Sequence, residues 1–108
     1  MTSNFKPPKL TAAEKRAGKI HMQMVKQLPC IICNAPPPSD AHHCICERYG
    51  TRKAPDAETI PLCKACHQDG PHAIHVSKHT WIERNGNDFE YLPEVRRMIE
   101  DMALGEWF

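Results

Sequence analysis

Hydrophobic and polar positions divide the chain into short elements. Thr11 with Glu14 has the form of a capping box, so the first regular element opens there. Behind it Ala13, Ala17, Ile20, Met24 and Leu28 fall roughly along one stripe and predict a helix running to about Gln27. Gly18 weakens that helix a little, and Pro29 stops it. Pro36-Pro37-Pro38-Ser39 is a stiff connector that no helix could use. Ala41 to Cys46 reads as a short strand and Gly50 to Pro55 as a loop. Thr59-Ile60-Pro61-Leu62 reads as a second strand, irregular or at an edge because proline cannot donate to a ladder. From Cys66 the chain is expected to turn helical and then to break at Gly70-Pro71. Ser77 can cap a helix through Trp81 and Glu83 that ends near Asn85-Gly86. Leu92-Pro93-Glu94 starts a last helix, with Val95, Met98, Ile99 and Met102 on one stripe, stopping near Gly105. These elements predict an α+β fold in three parts. Residues 1–27 are a basic arm, expected to be mobile over residues 1–10, followed by a helix. Residues 28–86 are a metal-bound core, and residues 87–108 a C-terminal helix packing on it.

Length changes the picture. A chain of 108 residues buries a limited core and often needs a staple. Its six cysteines can supply one. Disulfides of a secreted protein are one possibility. Against them, Met1-Thr2-Ser3-Asn4-Phe5-Lys6 carries no apolar signal segment, and no run approaches membrane-spanning length. The expectation is a soluble cytoplasmic protein with reduced thiols and a metal. The formal charge of +1 is unevenly placed. Lys6, Lys9, Lys15, Arg16, Lys19 and Lys26 face only Glu14 before the first cysteine, while the chain after Trp81 is acidic. Such an arm fits phosphate contact, although a solvated helix face would carry the same charges.

The cysteines Cys30, Cys33, Cys63 and Cys66 form two Cys-x-x-Cys pairs. Each pair can place two thiolates on one side of a metal. Two pairs complete a tetrahedral Zn²⁺ site with no open position, which makes that site structural. The interval between the pairs is longer than in a compact zinc ribbon, and His42-His43 falls within it. Cys44 and Cys46 are spaced Cys-x-Cys, a poorer fit to a zinc knuckle. They read as small buried strand residues or, alternatively, one of them replaces a ligand or reaches a second metal.

In a strand His42 and His43 point to opposite faces, so one can bind a metal while the other faces substrate or water. His67 directly follows a zinc ligand, and His72 and His75 come soon after. Five histidines around one metal core exceed what ordinary polar positions explain. His21 and His79 lie outside the pattern and read as bland residues. Glu and Asp are sparse near the His42-His43 dyad, which argues against a carboxylate-rich two-metal site. A zinc deaminase is disfavoured because no Glu follows His43 at the required offset and Leu62, not Pro, precedes Cys63.

Cys30-x-x-Cys33, Ala41-His42-His43 and Ile60-Pro61-Leu62-Cys63-x-x-Cys66-His67 together resemble the HNH, or ββα-metal, nucleases in their four-cysteine version, over roughly residues 28–85. Ala73-Ile74-His75 and Trp81-x-Glu83-Arg84-x-Gly86 look further like small phage recombination-enhancement nucleases that act with RecA. The resemblance implies His43 as general base and His42 and His67 as ligands of a catalytic divalent metal, with His75 as a third. It implies DNA as substrate, cleavage that leaves a 5′ phosphate, and a RecA–DNA filament as a further partner. Imidazole ligands suit Zn²⁺, Ni²⁺, Co²⁺ or Mn²⁺ by affinity, while activity could still depend on Mg²⁺ or Mn²⁺. Lys64, Arg52 and Lys53 are then candidate phosphate contacts beside Lys15, Arg16 and Lys19. The chain departs from the family where an Asn usually orients the base. Asp56, Ala57, Glu58 and Thr59 stand there, and Thr59 or Glu58 could substitute. Without a substitute, the alternative is a non-catalytic zinc module that binds nucleic acid or protein.

Overall fold

The computed structural model describes residues 9–46 and 53–105. Helix α1 spans Ala12–Val25. Its capping box is formed as expected: Glu14 N–H donates to Thr11 Oγ1 at 3.1 Å, and Thr11 N–H donates to Glu14 Oε1 at 2.8 Å. The inward face differs from the stripe of apolar positions in the sequence. Ile20 is 60% exposed, whereas Gly18 and Val25 are buried and Leu28 is buried just past the helix. One close backbone approach and one hydrogen bond set this rotation. A Cβ on Gly18 would lie 3.0 Å from Asp56 Cβ, so glycine lets the loop before β2 sit directly on the helix. His21 Nε2 bonds the Thr59 carbonyl at 3.0 Å, which gives a histidine of no sequence pattern the task of tying α1 to β2.

Strands β1 (Asp40–His43) and β2 (Thr59–Leu62) form a two-stranded antiparallel sheet. Asp40 pairs with Leu62, Ala41 with Pro61, His42 with Ile60 and His43 with Thr59. β1 is shorter than the expected strand. Past His43 only the Cys44 N–H still reaches across, to the Glu58 carbonyl, and Asp88 then takes the N–H groups of Ile45 and Cys46. Pro61 is tolerated because in a two-stranded sheet each strand is an edge. Its carbonyl faces away from β1 and accepts the Ile31 N–H at 2.9 Å, which docks the first cysteine pair onto the sheet.

Helices α2 (Lys78–Asn85) and α3 (Leu92–Ala103) lie close to their expected positions. Ser77 precedes α2 but bonds Thr80 Oγ1 rather than a helix N–H. A short 3₁₀ turn, Asp88–Tyr91, joins the two helices. Leu92 and Val95 of α3 are buried, with Met98, Ile99 and Met102 packed against the core beside them. The core gathers Val25, Leu28, Ile60, Leu62, Ile74, Trp81, Leu92 and Val95, together with Cys44 and Cys46. The fold is therefore a small α+β arrangement of a two-stranded sheet covered by helices. The arm expected over residues 1–10 lies almost wholly outside the described residues, as does Arg52.

Candidate metal centre and its histidines

The first cysteine pair sits in a tight turn. Cys30 N–H donates to the Ala35 carbonyl and Asn34 N–H to the Cys30 carbonyl, with Asn34 at a φ of 63°. Asn is among the few residues that tolerate this left-handed geometry. The second pair opens a π-helical turn, Ala65–Asp69, held by a His67 N–H bond to the Cys63 carbonyl. Gly70 closes it. A Cβ there would lie 2.4 Å from the Ala65 carbonyl oxygen, so no other residue fits.

These two turns bring the Sγ atoms of Cys30, Cys33, Cys63 and Cys66 within 4.8 Å of one another, with Cys33 and Cys63 at 3.5 Å. A tetrahedron with Zn–S bonds of about 2.3 Å has edges of about 3.8 Å, so the set fits one closed-shell ion. Burial opposes charge on Cys30, but the N–H groups of Cys33, Cys63 and Ile32 offset it and hold its thiol below the usual range. Burial and the neighbouring Cys30 push Cys66 far upward. Four thiols packed this closely become four thiolates only around a cation. The four-cysteine cluster expected from spacing can thus hold a structural metal such as zinc. Cys44 and Cys46 belong to neither ligand group among the described residues. Cys46 is buried, and loss of water together with the adjacent Asp88 raises its thiol to about 11. It is a neutral core residue.

A second group lies beside the first. His42 on β1, His67 on the π-helical turn and His75 before α2 each offer one nitrogen, all within 4.8 Å of one another. Ring centroids stand 4.8 to 5.3 Å apart. Backbone bonds fix this approach: Ile74 N–H donates to the Cys66 carbonyl and His75 N–H to the His67 carbonyl. The turn that carries Cys66 therefore holds the His67 ring and, through these two bonds, fixes the His75 segment against it. Burial, opposed in part by Asp40, lowers the His67 pKa, and burial with the His67 charge lowers that of His75. Both shifts favour the neutral imidazole that ligates metals.

Carboxylates stand behind these rings. Asp40 Oδ2 accepts from His67 Nδ1 at 2.9 Å and from Lys64 at 3.1 Å. Asp88 Oδ2 accepts from His42 Nε2 at 2.9 Å. Burial alone would raise the carboxyl of Asp88, yet the bonds from His42, Ile45 and Cys46 hold it below its usual range, so it acts only as an acceptor. The remaining nitrogen of His42, Nδ1, is buried without a hydrogen-bond partner.

His43 lies on the other face of β1, outside the three-ring group. Its Nε2 bonds Asp56 Oδ1 at 2.8 Å, with the imidazole 18% exposed. The residue that orients His43 is thus Asp56. Thr59 instead bonds the Asp56 carbonyl through its hydroxyl. Three aspartates therefore contact the histidines, a correction to the apparent scarcity of carboxylates near the dyad. Asp40 adjoins the dyad in sequence and is a weak signal. Asp88 lies 46 residues from His42 and gives none.

The candidate phosphate contacts divide. Lys15, Lys19 and Lys53 line one cleft of about 540 Å³ between α1 and the loop before β2, which Asp56 and Arg96 also line. Nothing in the sequence pattern points to Arg96 for this place. Arg16 is exposed elsewhere on α1. Lys64 is already paired with Asp40 beside His67. Of the remaining histidines, His72 is exposed and His79 pairs with Glu83 on the surface of α2.

Fold and site together define a small α+β protein built around a four-cysteine cluster able to hold a structural metal, with a three-histidine group alongside. The chain belongs to the family described as "Protein of unknown function (DUF968)", which it matches over residues 2–105. No curated protein and no solved structure matches it. Among the described residues no helix is long and apolar enough to cross a membrane.

Proposed function

We propose that this protein is a metal-dependent DNA endonuclease of the HNH, or ββα-metal, type. The observation that carries the reading is the convergence of His42, His67 and His75 from three separate segments. Neutral imidazoles set beside a closed four-cysteine site suit a second ion, and three protein ligands leave it an open position. An ion held there would supply Lewis-acid stabilisation of a phosphate and of its departing oxygen. Zn²⁺, Ni²⁺ or Mn²⁺ fits the nitrogen donors, and Mg²⁺ fits them least.

The chain's own residues supply the rest. His43, with its Nε2 bonded to Asp56, has Nδ1 left to take a proton from water as general base. Lys15, Lys19, Lys53 and Arg96 border the cleft beside Asp56 and are positioned to hold phosphates of a bound strand. A role in phage or prophage DNA processing, with a RecA–DNA filament as partner, accords with the sequence resemblance and belongs to the same proposal.

A second reading is a non-catalytic zinc module that binds nucleic acid or protein. It is favoured by one observation, the placement of His43 on the strand face opposite His42. Incubating the purified protein with plasmid and with single-stranded DNA, in Mg²⁺, Mn²⁺ or EDTA, separates the two. Cleavage that EDTA abolishes and that His43→Ala lacks is the expected result. DNA binding without cleavage in any metal establishes the second reading.

A further inference from the structure

We infer that Asp88 is a positioning residue that locks His42 in the Nε2–H form and turns its Nδ1 lone pair toward His67 and His75. The inference rests on the metal-site part of the reading above. Three groups converge on this carboxylate: His42 Nε2 at 2.9 Å and Ile45 N–H at 2.7 Å share Oδ2, and Cys46 N–H reaches Oδ1 at 3.3 Å. Asp88 is fully buried and His42 is 1% exposed, so no water competes for either.

The proton assignment follows from these bonds. A carboxylate that takes the Ile45 and Cys46 N–H groups is an acceptor with no proton to give, so the His42 proton sits on Nε2. Nδ1 then carries a lone pair. That atom is buried without a partner, on a ring within 5.3 Å centroid distance of two other imidazoles. A buried acceptor without a donor is costly unless a cation meets it. The Ile45 and Cys46 bonds anchor the carboxylate to the chain just past β1, so ring and acceptor are fixed to the same strand end. Carboxylate–imidazole pairs of this kind orient a ligand ring and raise its basicity. His67 is held from the opposite ring atom, Nδ1 by Asp40, so a metal would meet Nδ1 of His42 and Nε2 of His67.

Long-range ¹H–¹⁵N correlation spectra of the full chain, loaded with one equivalent of Zn²⁺ for the cysteines, read the His42 tautomer directly. The expected result is Nε2–H, with the Nδ1 resonance moving on a second equivalent of Zn²⁺. A His42 protonated on Nδ1 in the wild-type chain overturns the inference without any variant. In Asp88→Ala, affinity for the second Zn²⁺ should fall about 10- to 100-fold while the cysteine-bound ion stays. Asp88→Asn should recover most of that affinity, since its amide oxygen can take the place of Oδ2. Unchanged second-site affinity in a folded Asp88→Ala chain also overturns it. If Asp88→Ala does not fold, the wild-type tautomer decides. A chain that holds both ions and cuts no DNA refutes the nuclease reading and leaves the Asp88 assignment intact. A wild-type chain that takes up no second ion, whether Zn²⁺, Ni²⁺, Mn²⁺ or Mg²⁺, refutes both.

Discussion

On the nuclease reading His42 and His43 are neighbours with separate duties, and their failures should differ. His43→Ala should keep both metals and DNA binding yet lose cleavage by about 10²-fold or more, the usual scale for a general base. His42→Ala should lower occupancy of the second metal and leave the cysteine-bound ion in place. Metal content by mass spectrometry beside a plasmid-nicking assay distinguishes them, and metal loss in His43→Ala with full occupancy in His42→Ala would exchange the roles. What the sequence makes legible of these residues is local. The Cys-x-x-Cys pairs and His67 are fixed by spacing within a single turn, so the sequence alone brings out the four-cysteine set. Strand alternation separates His42 from His43 for the same reason. Asp56 and Asp88 reach their histidines only after the chain has folded back, and no periodicity records such an approach.

At the level of elements, α1 shows why a hydrophobic stripe misleads on a small protein. Counting apolar residues puts Ile20 inward. The helix instead turns a glycine and a histidine toward β2, because backbone approach at Gly18 and the His21 bond to Thr59 decide how the two meet. Gly18→Ala tests this account. On an open helix the change would gain about 1 kcal/mol in propensity. Against Asp56 the added methyl forces a shift that costs roughly 1–3 kcal/mol. Thermal melting should show a lower Tm by about 4 °C or more, the shift expected from a net loss near 1 kcal/mol. A raised Tm would mean that the loop before β2 gives way to the added methyl, so that close approach at Gly18 does not set the helix's rotation. α3 is legible where α1 is not, since Leu92, Val95, Met98, Ile99 and Met102 all join the hydrophobic cluster. The basic face of α1 carries its own expectation. Neutralising Lys15 and Lys19 should weaken DNA binding at every sequence tested. The slope of log affinity against log salt should flatten by about one for each phosphate no longer held. An unchanged slope would move the DNA surface elsewhere.

For the molecule as a whole, a metal in the four-cysteine cluster would supply the closure that so small a core lacks. Strong chelation should unfold the protein, and Cys63→Ser should do likewise, because metal binding to such a site is folding free energy. Circular dichroism with metal counting reads both, and native spectra in a metal-depleted Cys63→Ser chain would show that the cysteines staple nothing. The placement of Asp88 has a further consequence. β1, the two metal turns and α2 all precede it in the order of synthesis, yet His42 gains its acceptor only when the segment after Gly86 arrives. A nascent chain still lacking that segment would hold an unaligned His42, whatever ion its cysteines carry. On the nuclease reading, such a chain could not yet cut. The order of elements would then delay activity until translation has passed Asp88, which protects any nucleic acid near an unfinished copy.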